Sequence, residues 1–178
     1  MEIETKVLEI DRENVAEKLR ALGATETQNV RLAVDWYSPA DVTGDNHPWY
    51  LRVRSFGTDK AEISWKSLPK IIGNTRHSEE ITVPVSDFET AKSILDALGF
   101  KNYAHQEKDR LSFVYKAWNF DIDQYPGMPC YLEIEGNSYE HVQEAILLLN
   151  LENHESISEG ERLLIEEKYK LNWSDMRF

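Results

Sequence analysis

Two short stretches of this chain alternate glutamate with apolar residues: MEIETK at residues 1–6 and YLEIEG at residues 131–136. Residues i and i+2 of a strand point to the same side, so each stretch predicts a strand with one apolar face and one acidic face. Carboxylates two residues apart repel each other, which suggests that a cation lies between them. The two stretches therefore predict a metal site on a sheet.

Charged residues of both signs follow the same alternation in the strands between these stretches. One strand of this kind is typical of an ordinary antiparallel strand with one face in water. Several such strands with few neutral polar residues favour a shared ionic surface, where cations hold phosphate oxygens and carboxylates hold a divalent ion. The charges that share a parity within their strands are Arg52 and Arg54, Glu62 and Lys66, Arg76 and Glu80, Lys108 and Arg110, and Asp121 and Asp123.

The elements predict an α+β fold: a mainly antiparallel, eight-stranded β-barrel with helices packed outside. Capping residues and apolar positions at helical spacing predict helices over 11–23, 86–99, 138–150 and 158–169, with capping pairs Ser86/Glu89 and Ser158/Glu161. Further strands are predicted at 49–55, 61–67, 75–85, 120–124 and 131–136. A barrel of this strand number has room for one small ligand. No Gly-, Ser- or Pro-rich linker divides the chain, so residues 1–178 are expected to form a single domain.

The net charge and the composition limit the kinds of partner that this protein is expected to bind. The formal net charge of -12 argues against a nucleic-acid partner, although a small triphosphate can bind in a locally basic cavity. The first residues are rich in glutamate and no apolar run is long enough to span a bilayer, so no membrane association is expected. Cys130 is the one cysteine, which indicates a reduced, cytoplasmic protein. The protein is expected to be either a monomer or a homodimer.

In this order, the motifs resemble those of the CYTH family, the triphosphate tunnel metalloenzymes, which include class IV adenylate cyclases, thiamine triphosphatases and inorganic tripolyphosphatases. The E-x-E-x-K start is the family's signature and is matched by Glu2, Glu4 and Lys6. The resemblance extends through DWY at 35–37, LRVR at 51–54, the Lys66 strand, RHSEE at 76–80, Lys108 with Arg110, and IDQYPGMPCYLEIEG at 122–136. It therefore spans nearly the whole chain.

The resemblance implies a tunnel that binds a triphosphate together with Mg or Mn. The phosphate ligands it implies are Arg52, Arg54, Lys66, Arg76 and Arg110, with Lys6 and Lys108 contributing. The metal ligands it implies are Glu2, Glu4, Glu133 and Glu135, with Asp123 at or near the metal and Asp121 as a further candidate. Lys66 and Tyr37 match the lysine and tyrosine that act near the attacked phosphate in hydrolytic members. Glu80 is favoured over Glu79 as a tunnel residue because Glu80 shares parity with Arg76.

Three functions remain open at this stage. The first is a metal-dependent triphosphatase that hydrolyses inorganic tripolyphosphate or a small organic triphosphate, and the second is a class IV-type adenylate cyclase that makes cyclic AMP and pyrophosphate from ATP. The third is a non-catalytic module that binds polyphosphate or a nucleotide. His47 is interpreted as a solvated loop residue. Tryptophans pack in a core more often than they stack on a ligand, and this is the expectation for Trp36, Trp49, Trp65, Trp118 and Trp173. Trp49, at the mouth of a strand, could alternatively face a base or thiazole ring.

Overall fold

A single sheet runs through most of the chain. The computed structural model describes residues 2–42, 48–57 and 60–178, and His47 lies outside them. The strands are β1 (Glu2–Val7), β2 (Thr25–Pro39), β3 (Trp49–Ser55), β4 (Ala61–Ser67), β5 (Lys70–Ile72), β6 (Thr75–Ser78), β7 (Glu80–Val85), β8 (Phe100–Tyr115), β9 (Trp118–Gln124), β10 (Tyr131–Gly136), β11 (Ser156–Ile157) and β12 (Asp175–Met176). Their order is β5-β6-β1-β10-β9-β8-β2-β3-β4-β7, with β11 beside β1 and β12 beside β8.

The chain itself joins the two ends of this ladder. Glu79 alone separates β6 from β7, yet β6 pairs with β1 whereas β7 pairs with β4. The carbonyl of Glu79 accepts a hydrogen bond from the Ser67 N–H at 2.9 Å, which ties the bend to β4. The strand order contains ten strands. When β6 and β7 are counted as one bent strand, and β5 is counted as an extension of β4, these form a barrel of eight strands. The predicted antiparallel α+β barrel is confirmed.

Three helices of ten residues each pack outside the sheet: α1 (Arg12–Ala21), α2 (Phe88–Ala97) and α3 (Tyr139–Leu148). Helices α1 and α2 are followed by glycines in the left-handed region, Gly23 at φ 84° and Gly99 at φ 88°, where a side chain would be strained. The predicted cap of α2 at Ser86 is wrong by one residue, because Asp87 accepts from the Thr90 N–H at 2.6 Å. None of the described helices is long and apolar enough to cross a bilayer.

The predicted helix over 158–169 is shorter and differently capped. It begins as α4 (Glu161–Leu163) and continues as a π-helical turn over Leu164–Lys168. Gly160 is its N-cap and provides no side-chain hydrogen bond, so the predicted capping pair of Ser158 and Glu161 is wrong. The Glu161 carboxylate bonds instead to side chains of the sheet.

The core consists of three apolar clusters. The largest packs α1 and α3 against β1, β8, β9 and β10, and contains the fully buried Phe120 and Leu132. A second packs α2 against β3 and includes Tyr37. The third gathers residues of the π-helical turn and of the C-terminal segment, including Trp173. The first two clusters lie on the face of the sheet opposite to the charged side chains.

We expect Leu132→Ala to lower the free energy of unfolding by about 2–5 kcal/mol, because it removes a fully buried side chain and leaves a cavity. Leu147→Ala is the matched control: Leu147 is 61% exposed, and we expect a change of about 0.5 kcal/mol or less. Urea unfolding followed by circular dichroism measures both. Equal losses in the two variants would contradict this packing.

Candidate active site

A cavity of about 860 Å³ lies on the charged face of the sheet. Alternation along the strands brings nearly all of the predicted charged residues to its wall. The predicted residues that line it are Glu2, Glu4, Lys6, Arg52, Arg54, Lys66, Arg76, Glu80, Lys108, Arg110, Asp121, Glu133 and Glu135. Glu79 is exposed instead. Glu62, Asp123 and Tyr37 are the predicted residues that do not line it, and the Glu62 carboxylate pairs with Arg54.

The cavity wall carries no net charge. Among the described lining residues, basic and acidic side chains are equal in number once Arg162, Glu161 and Glu166 are added to the predicted set. A triphosphate is strongly anionic, so a neutral wall gives it little net attraction. Additional positive charge near the carboxylates would therefore favour binding.

Asp123 is fully buried beneath the cavity wall and holds two of its cations. Its carboxylate accepts from Arg110 Nε at 2.7 Å and from Lys108 Nζ at 2.8 Å. Burial disfavours the charge of Arg110, but Asp121 and Asp123 outweigh it and raise the pKa of the guanidinium. Asp123 thus orients the cations that face the cavity.

Asp123 is also part of a buried acidic cluster. Carboxylate oxygens of Asp123, Glu133 and Glu161 lie within 4.8 Å of one another. Cations already compensate this cluster, because Glu133 pairs with Lys6 at 3.2 Å and Glu161 pairs with Lys108 at 2.5 Å.

Glu161 is a site residue that the sequence reasoning missed. Its carboxylate accepts from the hydroxyl of Tyr131 at 2.6 Å and from that of Tyr125 at 2.8 Å, in addition to Lys108. Burial works against the charge, but Lys108 and Lys6 outweigh it and hold the pKa of Glu161 well below its usual value. These fixed partners explain why Glu161 does not cap its own helix. The sequence pattern around Glu161, a serine followed three residues later by a glutamate, predicted a helix cap and not a residue of the site.

Glu4 and Glu135 form a different kind of acidic pair. They lie directly opposite each other in the register of β1 and β10, and like charges at this position repel. Glu135 accepts from Asn119 at 2.9 Å and has no ion-pair partner among the described residues. Burial raises the pKa of Glu135, and Glu4 and Glu133 add to the shift. Burial likewise raises the pKa of Glu2 to about 7.

This second acidic group fits a hard divalent cation. Its donors are carboxylate oxygens, which Mg and Mn prefer. A cation here would relieve the repulsion that Glu4 and Glu135 impose on each other, and would supply the positive charge that the neutral wall lacks. The residues of this group are Glu2, Glu4 and Glu135, together with Glu133, which belongs to both groups and is already paired with Lys6.

Lys66 lies between two carboxylates at the cavity wall. It pairs with Glu2 and, at 3.3 Å, with Glu80. Burial disfavours its charge, but Glu4 and Glu2 outweigh it and raise the pKa of Lys66, so the side chain is an ammonium at neutral pH. An ammonium has no lone pair with which to remove a proton. Lys66 can therefore orient an oxygen or stabilise negative charge, but it cannot act as a base in this form.

The structure does not bring Tyr37 to Lys66. Tyr37 is 1% exposed and packs with Leu51 and Leu95 beneath α2, on the opposite face of the sheet. Strand alternation explains this placement, because Trp36 points into the cavity and its neighbour must point away.

Tyr50 is the tyrosine that lies beside Lys66. The two residues are directly opposite in the register of β3 and β4, and both line the cavity. Trp49 points away from the cavity and packs against Phe100 with ring centroids 6.4 Å apart. Trp49 thus packs against the core, as expected for the tryptophans in general, and only the alternative that it faces a ligand ring is wrong.

Comparison with known proteins identifies the family of this chain. The CYTH domain matches residues 1–163, so the chain belongs to the CYTH family. A search of curated protein sequences finds no significant match.

Several solved structures share the fold. A protein of Pyrococcus horikoshii OT3 is 23% identical with a TM-score of 0.71, covering 87% of this chain and 94% of its own. A putative adenylyl cyclase from Hippeastrum with a dominant triphosphatase activity is 15% identical with a TM-score of 0.71, covering 94% and 96%. A putative adenylate cyclase from Bacillus halodurans is 18% identical with a TM-score of 0.56, covering 92% and 95%.

The two acidic groups should respond differently to substitution. We expect Asp123→Ala to lower the free energy of unfolding by about 3–5 kcal/mol, because it leaves Lys108 and Arg110 with fewer partners in a buried position. Glu135→Gln should leave stability unchanged or raise it in metal-free buffer at neutral pH. A carboxyl whose folded-state pKa is raised destabilises the protein once it ionises, and the amide removes that cost.

Chemical denaturation at pH 7 in the presence of a chelator measures both variants. A loss of stability in Glu135→Gln that equals the loss in Asp123→Ala would contradict the distinction between the two groups.

Proposed function

We propose that this chain is a divalent-metal-dependent hydrolase that acts on a triphosphate in the cavity. One observation carries the proposal. The carboxylates of Glu4 and Glu135, which repel each other, line the same cavity as a set of arginines and lysines. Carboxylates for a hard cation beside cations for phosphate oxygens are the two parts of a metal-dependent phosphoryl site. Membership in the CYTH family and the fold shared with the Hippeastrum triphosphatase support it.

Glu2, Glu4, Glu133 and Glu135 would hold Mg or Mn. When bound, such an ion polarises phosphoryl oxygens and compensates the charge of the phosphate chain. The metal site is preformed, because the main-chain pairing of β1 with β10 brings Glu4 and Glu135 together before any ion binds.

The arginines bind the phosphate chain. Arg52, Arg54, Arg76 and Arg110 line the cavity, and a guanidinium matches two phosphate oxygens with its planar fork. Arg52 pairs with Glu80 at 3.2 Å and Arg110 is fixed by Asp123, so both are oriented in advance. Oriented cations of this kind stabilise charge that develops in the transition state at little reorganisation cost.

Lys66 and Tyr50 would act at the phosphate that is attacked. The Lys66 ammonium donates to an incoming water or to a phosphate oxygen, and the neighbouring Tyr50 hydroxyl fixes the direction of that water. Both side chains position the nucleophile, and the proton that the water loses passes to an oxygen of the phosphate chain or to solvent.

An adenylate cyclase of the class IV type is the second candidate. Trp36 and Tyr50 line the same cavity with their ring planes 83° apart, and a purine could stack on the face of one of these rings. A cyclase would direct the ribose 3′-hydroxyl, rather than water, at the α-phosphate. The products therefore distinguish the two reactions.

The reaction itself is tested by offering tripolyphosphate, thiamine triphosphate and ATP with Mg or Mn, and resolving phosphate, pyrophosphate and cyclic AMP. We expect phosphate release that depends on metal, and a loss of at least about 100-fold in kcat in Glu135→Gln because a metal ligand is removed. Glu79→Gln, an exposed neighbour of the site, is the control and should keep full activity. If cyclic AMP is the main product from ATP, the proposed hydrolase is wrong and the protein is an adenylate cyclase.

Two tyrosine variants test the placement of the nucleophile. Tyr50→Phe should lower kcat by about tenfold or more with little change in KM, because a positioning hydroxyl matters more to the transition state than to substrate binding. Tyr37→Phe should keep kcat within about twofold, since Tyr37 is buried on the other face of the sheet. Steady-state kinetics on the preferred triphosphate measure both variants. A loss of kcat in Tyr37→Phe but not in Tyr50→Phe would contradict the assignment of Tyr50.

A further inference from the structure

One carboxylate at the cavity wall, that of Glu80, contacts two of the cations that the proposed reaction uses. Its Oε1 accepts from Arg52 Nη2 at 3.2 Å, and its Oε2 lies 3.3 Å from Lys66 Nζ. The register explains the second contact, because Lys66 and Glu80 lie directly opposite each other in β4 and β7. The direction of the Glu80 carboxylate therefore affects both a phosphate-binding guanidinium and the ammonium at the attacked phosphate.

Among the described residues, the shortest hydrogen bond to this carboxylate comes from a threonine. Thr82 Oγ1 donates to Glu80 Oε1 at 2.9 Å. Residues two apart in a strand share a face, so β7 itself holds Thr82 next to Glu80. Thr82 is exposed and does not line the cavity. A side chain outside the cavity thus fixes a carboxylate inside it.

A second hydroxyl extends this contact into the sheet. Ser64 lies directly opposite Thr82 in the register of β4 and β7, is 1% exposed, and has its Oγ 2.9 Å from Thr82 Oγ1. Ser64 Oγ also lies 3.3 Å from Oε1 of Glu62, the carboxylate that pairs with Arg54. Ser64 therefore has two acceptors within reach and one proton to donate.

The number of hydroxyl protons decides which carboxylate the two hydroxyls bind. Each hydroxyl donates one proton, and a carboxylate that is paired with an arginine only accepts. Because Thr82 gives its proton to Glu80, the proton between the two hydroxyls comes from Ser64, which then has none for Glu62. The distances agree, since both contacts on the way to Glu80 are 2.9 Å and the contact with Glu62 is 3.3 Å. The donor chain therefore runs from Ser64 through Thr82 to Glu80.

We propose that Thr82 is a positioning residue for the hydrolysis, and that Ser64 acts through it. The donor chain holds Glu80 in the direction that orients Arg52 and Lys66 before substrate binds. Cations oriented in advance stabilise developing charge at little reorganisation cost. The inference deepens the proposed hydrolase and rests on it for turnover, but the orientation of Arg52 is measurable without any substrate.

Steady-state kinetics on the preferred triphosphate test the role of Thr82. Thr82→Val keeps the shape of the side chain and removes the donor. We expect kcat to fall by about tenfold while KM stays within about threefold, because Arg52 and Lys66 keep their charges and lose their alignment. Thr82→Ser restores a hydroxyl and should return kcat to within about twofold of the wild type.

Thr25→Val is the matched control, because Thr25 is an exposed strand threonine that does not line the cavity. This variant should keep the kcat and KM of the wild type. A wild-type kcat in Thr82→Val, or a loss of kcat that Thr82→Ser does not restore, would overturn the proposal.

A double-mutant cycle tests the order of the chain. Ser64→Ala alone should lower kcat by about threefold, because Thr82 loses the donor that polarises its hydroxyl. The same substitution made in Thr82→Val should change kcat by less than about 1.5-fold, because Ser64 then has no route to Glu80. An equal loss in both backgrounds would show that Ser64 acts on Glu62 or on the substrate, and would overturn its place in the chain.

Nuclear magnetic resonance of the substrate-free protein measures the orientation of Arg52. With ¹⁵N-labelled arginine, and signals assigned by Arg52→Lys and Arg54→Lys, the rate of rotation about the Nε–Cζ bond reports how firmly each guanidinium is held. Thr82→Val should speed this rotation in Arg52 by about threefold or more. Arg54 is the internal control, because Glu62 accepts from its Nε at 2.9 Å, and its rate should not change.

The two measurements separate this proposal from the hydrolase. If Thr82→Val speeds the rotation of Arg52 while the wild type hydrolyses no triphosphate, the donor chain stands and the hydrolase is wrong. If the wild type hydrolyses a triphosphate while Thr82→Val keeps both kcat and the rotation rate of Arg52, the hydrolase stands and the role of Thr82 is wrong.

Discussion

Charges inside the barrel must be paired, and the rest of the site depends on this constraint. Asp123 and Glu161 bind Lys108, and Asp123 also binds Arg110, so the cations on one side of the cavity are fixed by buried acids. Burial of an unpaired charge costs several kcal/mol, whereas a compensated set is tolerated. Glu135 is the exception among the described residues: it has no ion-pair partner and faces Glu4, whose carboxylate is already paired with Arg76 at 3.6 Å and Lys6 at 3.7 Å. That imbalance is the reason to expect a metal ion.

The ionic face and most of the fold could be predicted from the sequence because both follow from strand alternation. In β3, β8 and β10, residues two apart share a face whatever the partner strand, so Arg52 with Arg54, or Glu133 with Glu135, had to point the same way. The same parity correctly favoured Glu80 over Glu79 as a cavity residue. Barrel closure needed the family resemblance, since periodicity within a strand says nothing about which strands meet.

The remainder depends on contacts between distant segments, which local patterns do not encode. Glu161 has the spacing of a helix cap, but its carboxylate instead binds Lys108, Tyr125 and Tyr131, which are distant in the sequence. Trp173 reaches the cavity only because β12 pairs with β8. Alternation allows only one of Trp36 and Tyr37 on the cavity face, and the sequence alone did not show which of the two it is. Family analogy had supplied the tyrosine, and geometry replaces it with Tyr50.

The most direct test of the central claim is a crystal structure of the chain with Mn²⁺ and imidotriphosphate, with anomalous scattering used to locate the metal. The charge balance predicts a manganese peak between the carboxylates of Glu4 and Glu135, and phosphate oxygens on the arginines of the same wall. Asp123 should keep its bonds to Lys108 and Arg110 in that complex. Manganese bound only at the cluster of Asp123, Glu133 and Glu161, or a phosphate chain bound outside the cavity, would contradict the account.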